Sequence, residues 1–134
     1  MKIISDQMHG ALDYLTVIIF ALAPSLIGLT GIAAVVSYAL AIIHLSMTVA
    51  TKMPLGVFKI IPIKLHAIVE LIVGPVLVVG GLAAPTLSTG SRTFFVVIGV
   101  VIFAVWLLSS YGRASEQVAP GKREALFAGV MSCP

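Results

Sequence analysis

Two stretches of the chain place a carboxylate four residues after a histidine. The first is His9 to Asp13 (HGALD) and the second is His66 to Glu70 (HAIVE). Residues four apart lie on one face of a helix, so each stretch can bring an imidazole next to a carboxylate. Neutral imidazole and carboxylate together suit iron, zinc, manganese or nickel. The same two groups also form proton paths inside membranes.

The third histidine, His44, belongs with these pairs. It lies seven residues before Thr51, or about 10 Å from that end of its helix at 1.5 Å per residue, and Glu70 lies at a similar depth. Thr48 and Thr51 place hydroxyls on the face of His44. No acid follows it at the fourth position, so its imidazole is predicted to be the freest to coordinate an ion. The candidate metal ligands are His9, Asp13, His44, His66 and Glu70.

The elements that carry these residues are apolar. Of 134 residues, 60% are hydrophobic and 10% are charged, and the mean hydropathy is +1.17. Soluble domains are closer to half apolar and a quarter charged. The composition therefore excludes a soluble enzyme, a disordered chain and a nucleic-acid-binding module. A single cysteine, Cys133, excludes a disulfide framework.

Four apolar runs approach the roughly 20 residues that cross a bilayer as a helix. They cover about 10–28, 31–51, 63–82 and 93–111. They are apolar on all sides, which disagrees with a β-barrel strand and with a soluble helix bundle. We predict an all-α polytopic membrane protein, with four transmembrane helices as two tandem hairpins in residues 1–111. Residues 112–134 are predicted to be a cytoplasmic tail, either flexible or a short surface helix.

The basic residues predict the orientation. Because an even number of spans puts both termini on one side, seven of the eight basic residues share that side and Arg92 lies opposite. Lysine and arginine mark the cytoplasmic side. We predict a multi-pass protein of the cell inner membrane with both termini in the cytoplasm. The expected partners are the lipid bilayer and further copies of the chain, since four helices leave much packing surface, and no nucleic acid.

Three interpretations of the polar residues stay open. The first is a metal site with iron, zinc or manganese, holding one ion or two bridged ions, with or without enzymatic activity. Haem b between two histidines is a less favoured variant, because the sequence indicates no roomy pocket. The second is a proton or ion relay, although the outer half of every helix is apolar. The third is structural, with polar contacts that hold helices together.

The two histidine–acid pairs indicate an internal repeat. They lie 57 positions apart (9 to 66, 13 to 70), and each opens a helical hairpin. This arrangement predicts a parallel tandem repeat related by an axis along the membrane normal. His44 has no histidine counterpart in the fourth helix. Trp106 and Tyr111, near the end of that helix, are predicted to be interface anchors.

At this level the chain resembles a known family. The stretches HGALDYLTVIIFALAPSLIGLTG (9–31) and IKLHAIVELIVGPVLVVGG (63–81) look like those of the SPW-repeat family of small bacterial membrane proteins. Ala23-Pro24-Ser25 and Gly74-Pro75-Val76 stand where that family has Ser-Pro-Trp. The resemblance implies the membrane fold and a bacterial origin, and it implies no particular activity.

The orientation can be tested with a reporter fused after Pro134. A phosphatase that is active only in the periplasm should stay inactive there, because both termini are predicted to be cytoplasmic. The same reporter inserted in the turn between residues 83 and 91 should be active. The reverse pattern would place both termini in the periplasm and contradict the predicted orientation.

Overall fold

A computed structural model of the chain describes residues 3–111, which form four helices. They are α1 (Asp6–Leu26), α2 (Gly31–Ala50), α3 (Ile63–Ala83) and α4 (Thr89–Leu108). Each is long and apolar enough to cross a membrane. The described residues contain two isolated β-bridges and no strand, which confirms the all-α membrane fold class. Lys2 and the predicted tail at 112–134, with Cys133, lie outside the described residues.

Two helices begin four residues earlier than their apolar runs. The side chain of Ser5 accepts a hydrogen bond from the amide of Met8 at the start of α1. Ser88 accepts one from the amide of Ser91 at the start of α4. A capping hydroxyl satisfies an amide that has no partner within the helix, so a helix can extend into polar sequence. Hydropathy does not detect such caps.

The helices pair as two hairpins, with α1 packed on α2 and α3 packed on α4. Gly74 and Gly99 let α3 and α4 approach closely. A Cβ atom added at Gly99 would lie 2.7 Å from the carbonyl oxygen of Gly74 and 3.0 Å from the Cβ of Leu77. Small residues at such crossings allow the backbones of membrane helices to come into contact.

An apolar core joins the two hairpins. Its buried members come from all four helices and the first turn, and they are Phe20, Ala23, Leu29, Ala33, Ala41, Leu77, Phe95, Ile98 and Ile102. Phe20 of α1 meets Phe94 of α4 edge to face, with ring centroids 6.0 Å apart. Many large apolar side chains on the outside of the bundle are exposed, as expected of a surface that faces lipid.

The tandem repeat is visible in how the hairpins join. Helices α1 and α3 begin 57 positions apart. Ile4, before α1, forms a parallel bridge with Ser109, after α4, and Ile61, before α3, forms one with Thr51, after α2. The entry to each hairpin therefore lies beside the exit of the other. This places the C-cap residues Thr51 and Ser109 next to the first turns of α3 and α1.

The loop at 52–62 folds back onto the end of α2. The amides of Val57 and Phe58 bond to the carbonyl of Val49, and the amides of Ile60 and Ile61 bond to that of Ala50. A Cβ atom at Gly56 would overlap the carbonyl oxygen of Thr51. Glycine is therefore required at this turn, and the loop holds Thr51 in place.

The close approach of α3 and α4 predicts the effect of one methyl group. Gly99→Ala should lower the free energy of unfolding in detergent by about 1–3 kcal/mol, because overpacking forces the helices apart. The melting temperature should fall with it. Gly80→Ala is the matched control, since a Cβ there meets nothing within 4 Å. It should be neutral or slightly stabilising. Equal melting temperatures for the two variants would contradict this packing.

Candidate metal centre

The structure brings all five predicted site residues to one end of the bundle. His9 and Asp13 come from α1, His44 from α2, and His66 and Glu70 from α3. Four of them are buried, and their nearest ligand atoms lie within 4.8 Å of one another: His9, Asp13, His66 and Glu70. Each histidine–acid pair occupies one helical face, as its spacing predicts.

Asp13 lies at the centre of the group. Its Oδ2 atom is 3.5 Å from Nε2 of His9 and 3.5 Å from Nε2 of His66. Glu70 approaches the same two rings, with Oε2 3.4 Å from His9 Nε2 and Oε1 3.9 Å from His66 Nε2. With metal–ligand bonds of about 2.0–2.2 Å, two ligands of one tetrahedral ion lie about 3.4 Å apart. The spacing therefore suits ligands that share an ion.

The tautomer of His9 follows from its neighbour Ser109. The Ser109 hydroxyl donates its only proton to the carbonyl of Val105, at 2.7 Å. Its oxygen lies 3.0 Å from Nδ1 of His9, and with the hydroxyl proton on Val105 it accepts from a proton on that nitrogen. A neutral imidazole with a proton on Nδ1 has a lone pair on Nε2. This lone pair points at the two carboxylates.

His66 is held in the same way by Thr51. The Thr51 hydroxyl donates to the carbonyl of Met47, at 2.6 Å, and accepts from Nδ1 of His66, at 2.8 Å. Nε2 of His66 therefore also presents a lone pair to the acids. In both cases the hydroxyl belongs to the opposite hairpin. Partners that fix the outer nitrogen of a histidine are typical of metal-ligating histidines.

With these tautomers, the inner nitrogens of His9 and His66 face the carboxylate oxygens of Asp13 and Glu70. Three buried atoms have no hydrogen-bond partner among the described residues: His9 Nε2, Asp13 Oδ2 and His44 Nε2. Within residues 3–111, no lysine or arginine pairs with Asp13 or Glu70. Buried polar atoms without partners are rare and call for an explanation. A cation held by His9, Asp13, His66 and Glu70 could satisfy His9 Nε2 and Asp13 Oδ2 together.

The nitrogen–oxygen separations in the cluster are longer than those of protonated histidines bonded to carboxylates. An imidazolium would donate to a carboxylate in a charge-assisted hydrogen bond of about 2.7–2.9 Å. The nitrogen–oxygen separations here are 3.4–3.9 Å. They are too long for such bonds and match the distances between neighbouring ligands of one ion.

His44 lies at the outer edge of the cluster. Its Nε2 is 3.7 Å from Oδ1 of Asp13, and its side chain is 13% exposed. The sequence predicts an imidazole without an acid of its own, but α1 supplies Asp13 as its partner. Its ring centroid lies 6.0 Å from that of His66. His44 is therefore placed as a fifth and more accessible group beside the buried four.

Tyr111, which the sequence predicts to be an interface anchor, also contacts the cluster. Its hydroxyl donates to Oε2 of Glu70 at 2.7 Å, and its ring meets His9 edge to face at 5.0 Å. Burial, and then the Glu70 carboxylate, raise the pKa of Tyr111 far above its ordinary value, so the phenol remains a donor. The amide and the hydroxyl of Ser110 both donate to the carbonyl of Ile4, and these bonds hold the chain after α4 beside the cluster.

The repeat makes the two sides of the centre different. Thr51 and Ser109 have the same role and lie 58 positions apart, so Ile102 corresponds to His44, and Met53 corresponds to Tyr111. Asp13 is contacted by a histidine from its own hairpin. Glu70 is contacted by a tyrosine from its own hairpin. Two equivalent acids thus have chemically distinct neighbours.

A cavity of about 20 Å³ adjoins the cluster, with His44, His66 and Glu70 on its polar side.

Comparisons of the chain with protein-family models, with curated proteins and with solved structures found no match. The side-chain geometry is therefore the basis for an assignment of function.

The hydroxyl contacts predict a specific tautomer. In metal-free protein labelled with nitrogen-15 histidine, at about pH 8 where imidazole is neutral, His9 and His66 should carry their proton on Nδ1. Thr51→Val should change the His66 signals and leave those of His9 unchanged, because it removes one acceptor only. Ser109→Ala should do the converse. Protonation on Nε2 in the wild-type protein would contradict the assignment.

Proposed function

We propose that the protein binds one divalent transition-metal ion within the membrane. His9, Asp13, His66 and Glu70 are the ligands, and His44 is a fifth group at the edge. The observation that carries this proposal is the pair of hydroxyls that turn two imidazole lone pairs toward two carboxylates. Within residues 3–111, His9 Nε2 and Asp13 Oδ2 at the centre of this arrangement have no hydrogen-bond partner.

The ligand chemistry supports iron, zinc or manganese. Two imidazoles and two carboxylates form a mixed nitrogen and oxygen set, which suits these ions. Two carboxylate charges balance a divalent ion, so the occupied site is neutral overall and easier to hold away from water. One ion is favoured over two, because all four ligand atoms fit within 4.8 Å. Two-metal sites hold ions about 3.5–4 Å apart and need ligands spread around both.

Haem b does not suit this site. The rings of His9 and His66 meet edge to face with centroids 5.6 Å apart, and the carboxylates of Asp13 and Glu70 lie between them. The adjoining cavity has a volume of about 20 Å³, whereas pockets for molecules of haem's size are at least about 300 Å³.

The proton-relay alternative receives less support, because polar groups do not continue across the bundle. Beyond the cluster, the described interior is the apolar core around Phe20, Leu77 and Phe95. The buried hydroxyls of Thr16 and Ser37, in the middle of the bundle, donate to the backbone carbonyls of Leu12 and Phe20. A relay would need a chain of groups that exchange protons with one another.

The location of the site completes the proposal. The centre lies at the end of the bundle that carries Ile4, Ser109 and the basic loop with Lys52 and Lys59. Under the positive-inside rule this end faces the cytoplasm of a bacterial inner membrane. The ion is then taken from the cytoplasm. Exposed apolar side chains along the helices face lipid, or further copies in a homo-oligomer.

Metal content tests the proposal directly. Wild-type protein purified without chelator, or titrated with Zn(II), Fe(II) or Mn(II), should hold one ion per chain. Asp13→Asn and His66→Ala should lose it, because each removes a central ligand. Ser37→Ala, which removes a buried hydroxyl from the apolar core, is the control and should retain it. Affinity should fall below about pH 6, because protonated imidazole does not coordinate.

The surrounding residues should have graded effects. Thr51→Val should weaken binding about 10–100-fold, the usual effect of losing a group that orients a ligand. His44→Ala should cost less affinity than His66→Ala, because His44 approaches one acid, Asp13, and His66 approaches both. A folded wild-type protein that binds well under one ion per chain, and takes up none on titration, would refute the metal site.

A further inference from the structure

The cavity beside the cluster has walls of two kinds. His44, His66 and Glu70 line one side, and the remaining wall is apolar, with Phe20, Val73 and Ile102 among its members. Its volume is about 20 Å³, slightly more than the roughly 10–15 Å³ that holds one water-sized molecule. The cavity therefore accepts an occupant of one or two heavy atoms.

The polarity of the walls narrows the choice of occupant. A water molecule can occupy the polar side, where His44, His66 and Glu70 supply the two to four partners that it needs, but it gains nothing from the apolar wall. A charged ligand would lose its hydration against the apolar wall, at a large cost in free energy. A small uncharged molecule that binds the ion at one end can place its other end against Phe20 and Ile102.

The repeat explains why a coordination position is left for such a molecule. His44 reaches Asp13 from α2, but its counterpart in α4 is Ile102, which has no ligand atom and forms part of the cavity wall. All four buried ligands come from α1 and α3. Sites that act on small molecules leave one position of the ion open in this way.

We propose that the bound ion keeps one coordination position open toward this cavity, and that the position takes an uncharged diatomic ligand of the dioxygen or nitric oxide class. The inference rests on the proposed metal site and specifies its ligand. His44 is the most exposed of the five cluster residues, and it marks the rim of the cavity. Molecules of this class dissolve in the hydrocarbon of the bilayer and can enter from that side.

The test uses the full chain in detergent loaded with Co(II), which binds nitrogen and oxygen sites more tightly than Fe(II) or Mn(II). Its visible absorption reports its coordination. Nitric oxide, added without oxygen, should change this spectrum with one molecule per ion. Ile102→Phe should retain Co(II) and weaken the response at least tenfold, because the larger ring fills the cavity. Val101→Phe, at the lipid-exposed neighbouring position, should respond as wild type.

A second variant tests the same cavity in case Ile102→Phe does not fold. Ile102→Ala enlarges the cavity and should let ethyl isocyanide, a larger uncharged ligand, bind the Co(II) that wild type shields from it. Wild-type protein that holds one Co(II) but does not respond to nitric oxide would overturn this inference and leave the metal site intact. So would an unchanged nitric oxide response in a folded Ile102→Phe. Failure of the wild-type protein to hold Co(II) would instead refute the metal site itself.

Discussion

Hydrogen bonds from histidine to hydroxyl groups across the two hairpins set the chemistry of the whole site. Thr51 and Ser109 each give their proton to a carbonyl four residues earlier in their own helix. Their oxygens are therefore left to accept from His66 and His9. This arrangement turns the inner nitrogens of the two histidines toward the carboxylates of Asp13 and Glu70. Such a group of ligand atoms could hold a metal ion.

Helix packing and the polar cluster together hold the two hairpins in place. Within each hairpin the helices pair directly, and Gly74 and Gly99 bring α3 against α4. Between the hairpins, contact depends on the apolar core around Phe20 and on the polar cluster itself. The parallel bridges at Ile4 and Ile61 hold the cap residues in register with the histidines. Polar groups in a membrane interior are costly unless satisfied, so the cluster is concentrated at one end.

Sequence patterns predict the parts of this structure that depend on local geometry. Length and apolarity predict the four helices, and four-residue spacing predicts the two histidine–acid pairs. The contacts between segments that are far apart in the sequence are not predicted. Tyr111 reaches Glu70 only because Ser110 bonds back to Ile4. Thr51 shares the face of His44 in the sequence, but in the structure the loop after α2 presents it to His66. No spacing rule connects residues of separate helices in this way.

The exchange of partners between hairpins has an evolutionary consequence. A single hairpin has a histidine and an acid but lacks the hydroxyl that orients its own histidine. A half-length ancestor would therefore need two copies facing each other about a two-fold axis, as in most homodimers. Both copies would then carry the same residue at each position. If duplication and fusion joined two such copies in one chain, each half would become free to diverge, and His44 opposite Ile102 and Tyr111 opposite Met53 would be positions where the halves differ.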